Sequence, residues 1–195
     1  MSKVLPILFN TDMVRAILDG RKTVTRRLVK HDVDAILNSP YHKEHPEVED
    51  KQIISKLCLP PYQPGDILYV RETWVKVNSV PVQYGYRVDN NYLVPRWHPS
   101  IHMPKEAARI WLKVKDVRVE RLQEITEEHA QKEGCQGTFV GDGSCMGSGW
   151  DVSPVDEFSK LWDSTIKKSD LDRYGWDANP WVWVIELERC EKPED

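Results

Sequence analysis

Three runs rich in β-branched and aromatic residues, 67–75, 110–119 and 181–187, limit what this chain can form. Around them residues 4–9 read as a short buried strand, and residues 84–88 and 92–97 as further short strands about the turn Asp89-Asn90-Asn91. Helical spacing appears in only a few places. Met13, Val14, Ile17 and Leu18 predict a helix capped by Thr11 and ended by Gly20. Thr126 caps a second that carries Glu127 and Glu128 on its positive end and stops at Gly134, and Ser153-Pro154 opens a third with Phe158, Leu161, Trp162 and Ile166 on one stripe. Pro104 suits the first position of a short helix through Ala108. Many short strands with about three helices between them predict an α+β fold, a small mixed β-barrel with flanking helices.

At 195 residues one domain over 1–195 is expected, and 8 Trp with 7 Tyr exclude a disordered chain. Two stretches look inserted. Residues 31–60 hold three histidines and three prolines without periodicity and read as an irregular insertion, and residues 136–150 fall within a glycine cluster that reads as a mobile surface loop. Four cysteines with no C-x-x-C pair indicate neither a disulfide scaffold nor a zinc ribbon, so reduced thiols and a cytoplasmic setting fit. The N-terminal stretch matches neither a signal peptide nor a membrane span. A net charge of -4 argues against a general polyanion binder, yet residues 1–30 carry seven cations and two acids. Any nucleic-acid contact is therefore local.

Familiar catalytic signatures are absent. His98 and His102 are four apart, but Pro99 lies between them and the glutamate of H-E-x-x-H is missing, so no metal site is read there, and His42 with His45 is weaker still. Gly20-Arg21-Lys22-Thr23 lacks the earlier glycine of a phosphate loop, and no G-x-S-x-G occurs. What remains is the segment 21–30, with five cations and no acid. Neighbouring cations and desolvation both favour a neutral lysine amine, and a hydroxyl beside such an amine can attack a carbonyl. Lys22 supplies the amine, and Thr23 or Thr25 the hydroxyl. In an ideal strand Lys22 and Thr25 face opposite ways, so they cooperate only if the turn after Gly20 is irregular. A solvated basic strand is the competing reading.

The residues Ile17-Leu18-Asp19-Gly20-Arg21-Lys22-Thr23-Val24-Thr25-Arg26-Arg27, then Gly65-Asp66-Ile67-Leu68-Tyr69-Val70 and the late Trp183-Val184-Ile185-Glu186 together resemble the ASCH family of the PUA-like superfamily. The longer elements Val70-Arg71-Glu72-Thr73-Trp74, Trp97-His98-Pro99-Ser100-Ile101-His102-Met103-Pro104 and Trp176-Asp177-Ala178-Asn179-Pro180-Trp181 are similar to a larger phage and prophage subgroup. The resemblance implies a small β-barrel whose cleft accepts a nucleobase or RNA. Small bacterial members remove the acetyl group from N4-acetylcytidine, without a metal or other cofactor, using a lysine, a threonine and a glutamate. The first two carry over onto Lys22 and Thr25, and Thr126-Glu127-Glu128-His129-Ala130-Gln131-Lys132-Glu133 places the glutamate at Glu133. In those roles Lys22 is the base, Thr25 the nucleophile and Glu133 the acid, with Arg21 and Arg27 binding substrate. Trp74, Trp97 and Trp150 are candidate base-stacking walls. The implied ligand is a modified nucleoside or nucleobase, and the alternative is a non-catalytic module that binds RNA or single-stranded nucleic acid in the same cleft.

Overall fold

The computed structural model describes residues 2–45, 47–77, 81–89, 96–140 and 149–194. The chain enters through strand β1 (Val4–Leu8), helix α1 (Thr11–Leu18) and strand β2 (Val24–Leu28). Helices α2 (Val33–Leu37), α3 (Pro40–Glu44) and α4 (Asp50–Leu57) follow, then strand β3 (Ile67–Arg71) and the hairpin β4 (Trp74–Val77) and β5 (Gln83–Tyr86). Next are the long strand β6 (Trp111–Arg121), helix α5 (Glu127–Lys132) and the small pair β7 (Thr138–Val140) and β8 (Gly149–Val152). Helices α6 (Pro154–Thr165) and α7 (Leu171–Tyr174) lead to the closing strand β9 (Trp181–Cys190).

One five-stranded sheet in the order β1-β3-β6-β9-β2 organises these elements; β1 runs parallel to β3 and the other neighbours are antiparallel. The alternation of β9 explains its unbroken apolar sequence. Trp181, Trp183, Ile185 and Leu187 face a core shared with α1, α2 and α4, whereas Val182 and Val184 face a second core with α5 and α6. A strand buried on both faces has no polar side to show.

The sheet does not close. Among the described residues β1 and β2 are its two edges with no ladder between them, so the expected barrel is an open mixed sheet. At one edge Pro6 lacks an N–H and its carbonyl accepts from the Tyr62 hydroxyl at 2.8 Å. At the other, the Arg27 guanidinium crosses the gap and donates to the Leu8 carbonyl at 3.1 Å. A side chain therefore bridges where a barrel would have strand pairing.

Other expectations also change. Residues 31–60 are mainly three short helices rather than irregular chain. Asp32 caps α2 by accepting from the Ala35 N–H, and α4 buries Ile53 and Ile54. Their five to eight residues are too short for periodicity to show, so tertiary packing decides them. Asn10, not Thr11, caps α1, its side chain accepting from Met13 N at 2.8 Å. The single strand expected over 67–75 breaks after Arg71, where Glu72 turns its N–H to the Met103 sulfur. The helix expected after Pro104 is a single 3-10 turn, Lys105–Ala107. Most of the strand expected at 92–97 and residues 141–148 of the glycine cluster lie outside the described residues, while the described ends of that cluster, expected as a loop, are the close of α5 at Gly134 and the β7–β8 pair. Among the described residues no helix is long and apolar enough to cross a membrane.

Candidate functional site

Two helix ends, far apart in sequence, meet back to back. Helix α1 finishes at Gly20 (φ +76°), where the N–H groups of Arg21 and Lys22 both turn to the Ala16 carbonyl. Helix α5 finishes at Glu133 and Gly134 (φ +102°). A Cβ at Gly134 would stand 2.9 Å from the Ala16 Cβ, so only glycine allows this approach. Thr23 N–H donates to the Lys132 carbonyl at 2.8 Å and Arg21 Nη1 to the Gly134 carbonyl at 2.9 Å. Lys22 and Glu133 are thereby pressed together beside the first residue of β2.

The Lys22 ammonium has three acceptors: Glu133 Oε2 at 2.5 Å, the Glu133 carbonyl at 2.9 Å and the Val24 carbonyl at 2.9 Å. Its side chain is fully buried and that of Glu133 is 4% exposed. Burial, partly offset by the Glu133 charge, holds the amine below the ordinary lysine range. The other Glu133 oxygen accepts from Arg26 Nη1 at 3.2 Å. Arg26 also stands 3.5 Å from Glu120, but its Nε and Nη2 make no hydrogen bond among the described residues. Sequence reasoning missed Arg26 in this role, although its position two residues from Val24 on the same strand face was a usable signal.

Strand register places the remaining groups. Leu187 N–H donates to the Thr23 carbonyl and Val29 N–H to the Trp181 carbonyl, so odd residues of β2 turn their backbone to β9 and even ones to the free edge. Arg26 lies on the α5 and α6 side, and Thr25 and Arg27 lie on the other. Lys22 joins the two sides, because it holds Glu133 on one and stands 5.5 Å from the Phe9 ring on the other. The Arg27 guanidinium lies 5.5 Å from that same ring. Thr25 is buried, and its hydroxyl makes no hydrogen bond to a described residue, Lys22 included.

Two cavities flank Arg27. One, of about 650 Å³, follows the free edge of β2 and is walled by Trp162, Trp183 and Tyr62. The other, of about 470 Å³, lies at the end of β1 and is lined by Phe9, Asn10, Thr11 and Ser100 among others. Arg27 and Thr165 belong to both. Phe9 separates the second lobe from Lys22.

The other expected site residues lie elsewhere or only nearby. Arg21 pairs with Asp19 at 2.9 Å on the surface beside Gly134. Trp74 is buried against Met103, Ala107 and Tyr84 in a cluster under the β4–β5 hairpin, and it lines neither lobe. Trp97 is half-buried beside the Trp74–His98 bridge and lines neither lobe. The side chain of Trp150 lies outside the described residues. Trp162, read from sequence as part of a helix stripe, and Trp183, read as part of the closing strand, are the tryptophans that wall the cleft. Cys135 sits next to this cluster, but burial and nearby carboxylates push its thiol up to about 12, so it is no nucleophile near neutral pH. Among the described residues no group of three or more His, Cys, Asp or Glu gathers as a metal site.

No family model and no curated protein matches the chain. Two solved structures are similar to it. An ASCH domain from Lactobacillus crispatus JV V101 is 11% identical with a TM-score of 0.45, covering 96% of this chain and 79% of that one. A hypothetical protein is 16% identical with a TM-score of 0.39, covering 96% of this chain and 99% of that one. At this level the likeness has no bearing on activity.

Proposed function

We propose that the protein is an amidohydrolase that removes an acyl group from the exocyclic nitrogen of a cytosine nucleoside or a related modified base. The buried contact between Lys22 and Glu133, together with a buried Thr25 hydroxyl three residues along the chain that no described group occupies, supports this reading most directly. A proton passing from Lys22 Nζ to Glu133 Oε2 leaves a neutral amine beside a carboxylic acid, which is the base and acid pair that amide cleavage needs. The Thr25 hydroxyl gives its proton to Lys22 as its oxygen bonds to the acyl carbon. The C–N bond then breaks and the amine leaves with the Glu133 proton, while Arg27 orients the substrate and offsets the oxyanion. Water next adds to the acyl-threonine ester and loses a proton to Glu133. Thr25 Oγ1 leaves with the Lys22 proton and a carboxylic acid is released; the proton then on Glu133 returns to Lys22 Nζ, which restores the starting ion pair.

The test is incubation with N4-acetylcytidine and chromatography of the cytidine formed. Turnover is expected from the wild type, with a loss of about 10²–10⁴-fold in Lys22→Ala and Thr25→Val and no response to chelator. Absence of wild-type turnover, or turnover unchanged in both variants, rejects the proposal. Thr25→Val keeps the buried shape, so its result does not depend on a damaged fold.

One observation favours a second reading, nucleic-acid binding without chemistry: all three Lys22 donors are taken and Phe9 stands between them and the cleft. That reading predicts affinity for single-stranded RNA that falls steeply with salt, where a nucleoside hydrolase shows little.

A further inference from the structure

We infer that the cleft takes a nucleotide bearing a phosphate rather than an uncharged nucleoside, with Arg27 and Lys30 as the cations that hold the anion. The inference rests on the cleft being the substrate site and names the charged part of that substrate. The two lobes adjoin at Arg27 and Thr165, which line both. Arg26, Arg27, Lys30 and His31 line the larger lobe and Arg27 and Arg87 the smaller, and among the described residues no Asp or Glu lines either. This occurs in a chain whose net charge is -4.

Pairing separates these cations. Glu133 and Glu120 neutralise Arg26, whereas Arg27, Lys30 and Arg87 make no ion pair with a described residue. Arg27 is half-buried with one backbone carbonyl as its hydrogen-bond partner. A guanidinium in that position has lost much of its water and gained no counter-charge, and an anionic ligand supplies one. Size and shape agree. An acylated base in the smaller lobe lies against Phe9, the ring that adjoins Lys22, and the rest of the nucleotide passes Arg27 and Thr165. Its phosphate then reaches the larger lobe, which both Arg27 on β2 and Lys30 just past the end of that strand line.

Calorimetric titration of the full chain with cytidine and with cytidine 5′-monophosphate tests this, in the wild type, Lys30→Gln and Arg27→Gln. The monophosphate is expected to bind about tenfold or more tightly than cytidine, with the margin shrinking to about twofold in Lys30→Gln and at high salt. Equal affinities in the wild type, or a margin that Lys30→Gln leaves unchanged, overturn it. Lys30 is exposed, so its variant should fold, which an unfolding midpoint equal to that of the wild type verifies. A trinucleotide arm identifies the source of the phosphate: tighter binding than the monophosphate points to a phosphodiester in a strand, and equal or weaker binding to a free nucleotide, both on the same cations. A phosphate preference without any amide hydrolysis strikes the catalytic reading alone. Hydrolysis without a phosphate preference strikes this inference alone.

Discussion

Two charge clusters among the described residues are similar in make-up and different in finish. Beneath the β4–β5 hairpin, Arg109 meets Glu72 through Nε at 2.9 Å and Nη2 at 3.1 Å, and Asp89 through Nη1 at 2.8 Å and Nη2 at 3.2 Å, while the Tyr86 ring lies 3.9 Å beneath the guanidinium. Both carboxylates are satisfied by one planar fork, which is what a structural clamp requires. The cluster at Lys22 is more deeply buried and less complete. Among the described residues, Arg26 has two nitrogens without hydrogen bonds, the Thr25 hydroxyl has no partner, and Arg27 across the strand has no counter-ion. The Arg109 cluster saturates its partners, whereas the Lys22 cluster keeps hydrogen-bonding capacity in reserve at some cost in stability.

Breaking each cluster sharpens the contrast. Lys22→Met removes one side of a fully buried pair and should cost about 3–5 kcal/mol in denaturant unfolding together with all turnover. Arg109→Ala opens a pair that water reaches and should cost about 2 kcal/mol while hydrolysis by the folded fraction stays at the wild-type level. Equal losses of activity would erase the distinction. Gly134→Ala forces a Cβ into Ala16 at positive φ and should cost about 2 kcal/mol, with a fall in kcat because Glu133 is pushed off Lys22.

The clusters should also answer pH with opposite signs. Burial holds the Lys22 amine below its unfolded value of 10.5, so between those two values the unfolded chain binds the extra proton and stability rises with pH. Burial raises the Glu72 carboxyl above 4.5 against the pull of Arg109, so just above 4.5 the folded chain binds the extra proton and stability falls as pH rises. Denaturant titrations of Lys22→Met and Glu72→Gln against wild type isolate the two slopes, and matching signs would refute the assignment. The smallest expected effect is that of Trp74→Phe. Its indole N–H is buried and without a described hydrogen-bond partner, so the variant should lose under about 1 kcal/mol and keep full turnover.

Much of this was legible in the order of residues. Strand β9, the caps at Thr126 and Ser153, and the helix ends at Gly20 and Gly134 follow from alternation and local chemistry. The meeting of Lys22 with Glu133 does not, since 111 residues separate them and only the backs of α1 and α5 bring them together. For the same reason Trp74 read as a cleft wall and Trp162 as part of a helix stripe. Both are aromatic residues in apolar settings, and only the sheet order decides which of them borders the open edge of β2. Helices α2, α3 and α4 escaped notice because short helices borrow their stability from what they pack on.

An open sheet invites strand addition from other chains, and the two edges here resist it by different means. At β1 a proline has deleted one donor and a tyrosine hydroxyl occupies the matching carbonyl. At β2 the Val24 carbonyl, which points away from the sheet, is occupied by the Lys22 ammonium. The lysine that pairs with Glu133 therefore also covers an edge acceptor, and a variant that lacks it exposes a rung that the native protein keeps covered.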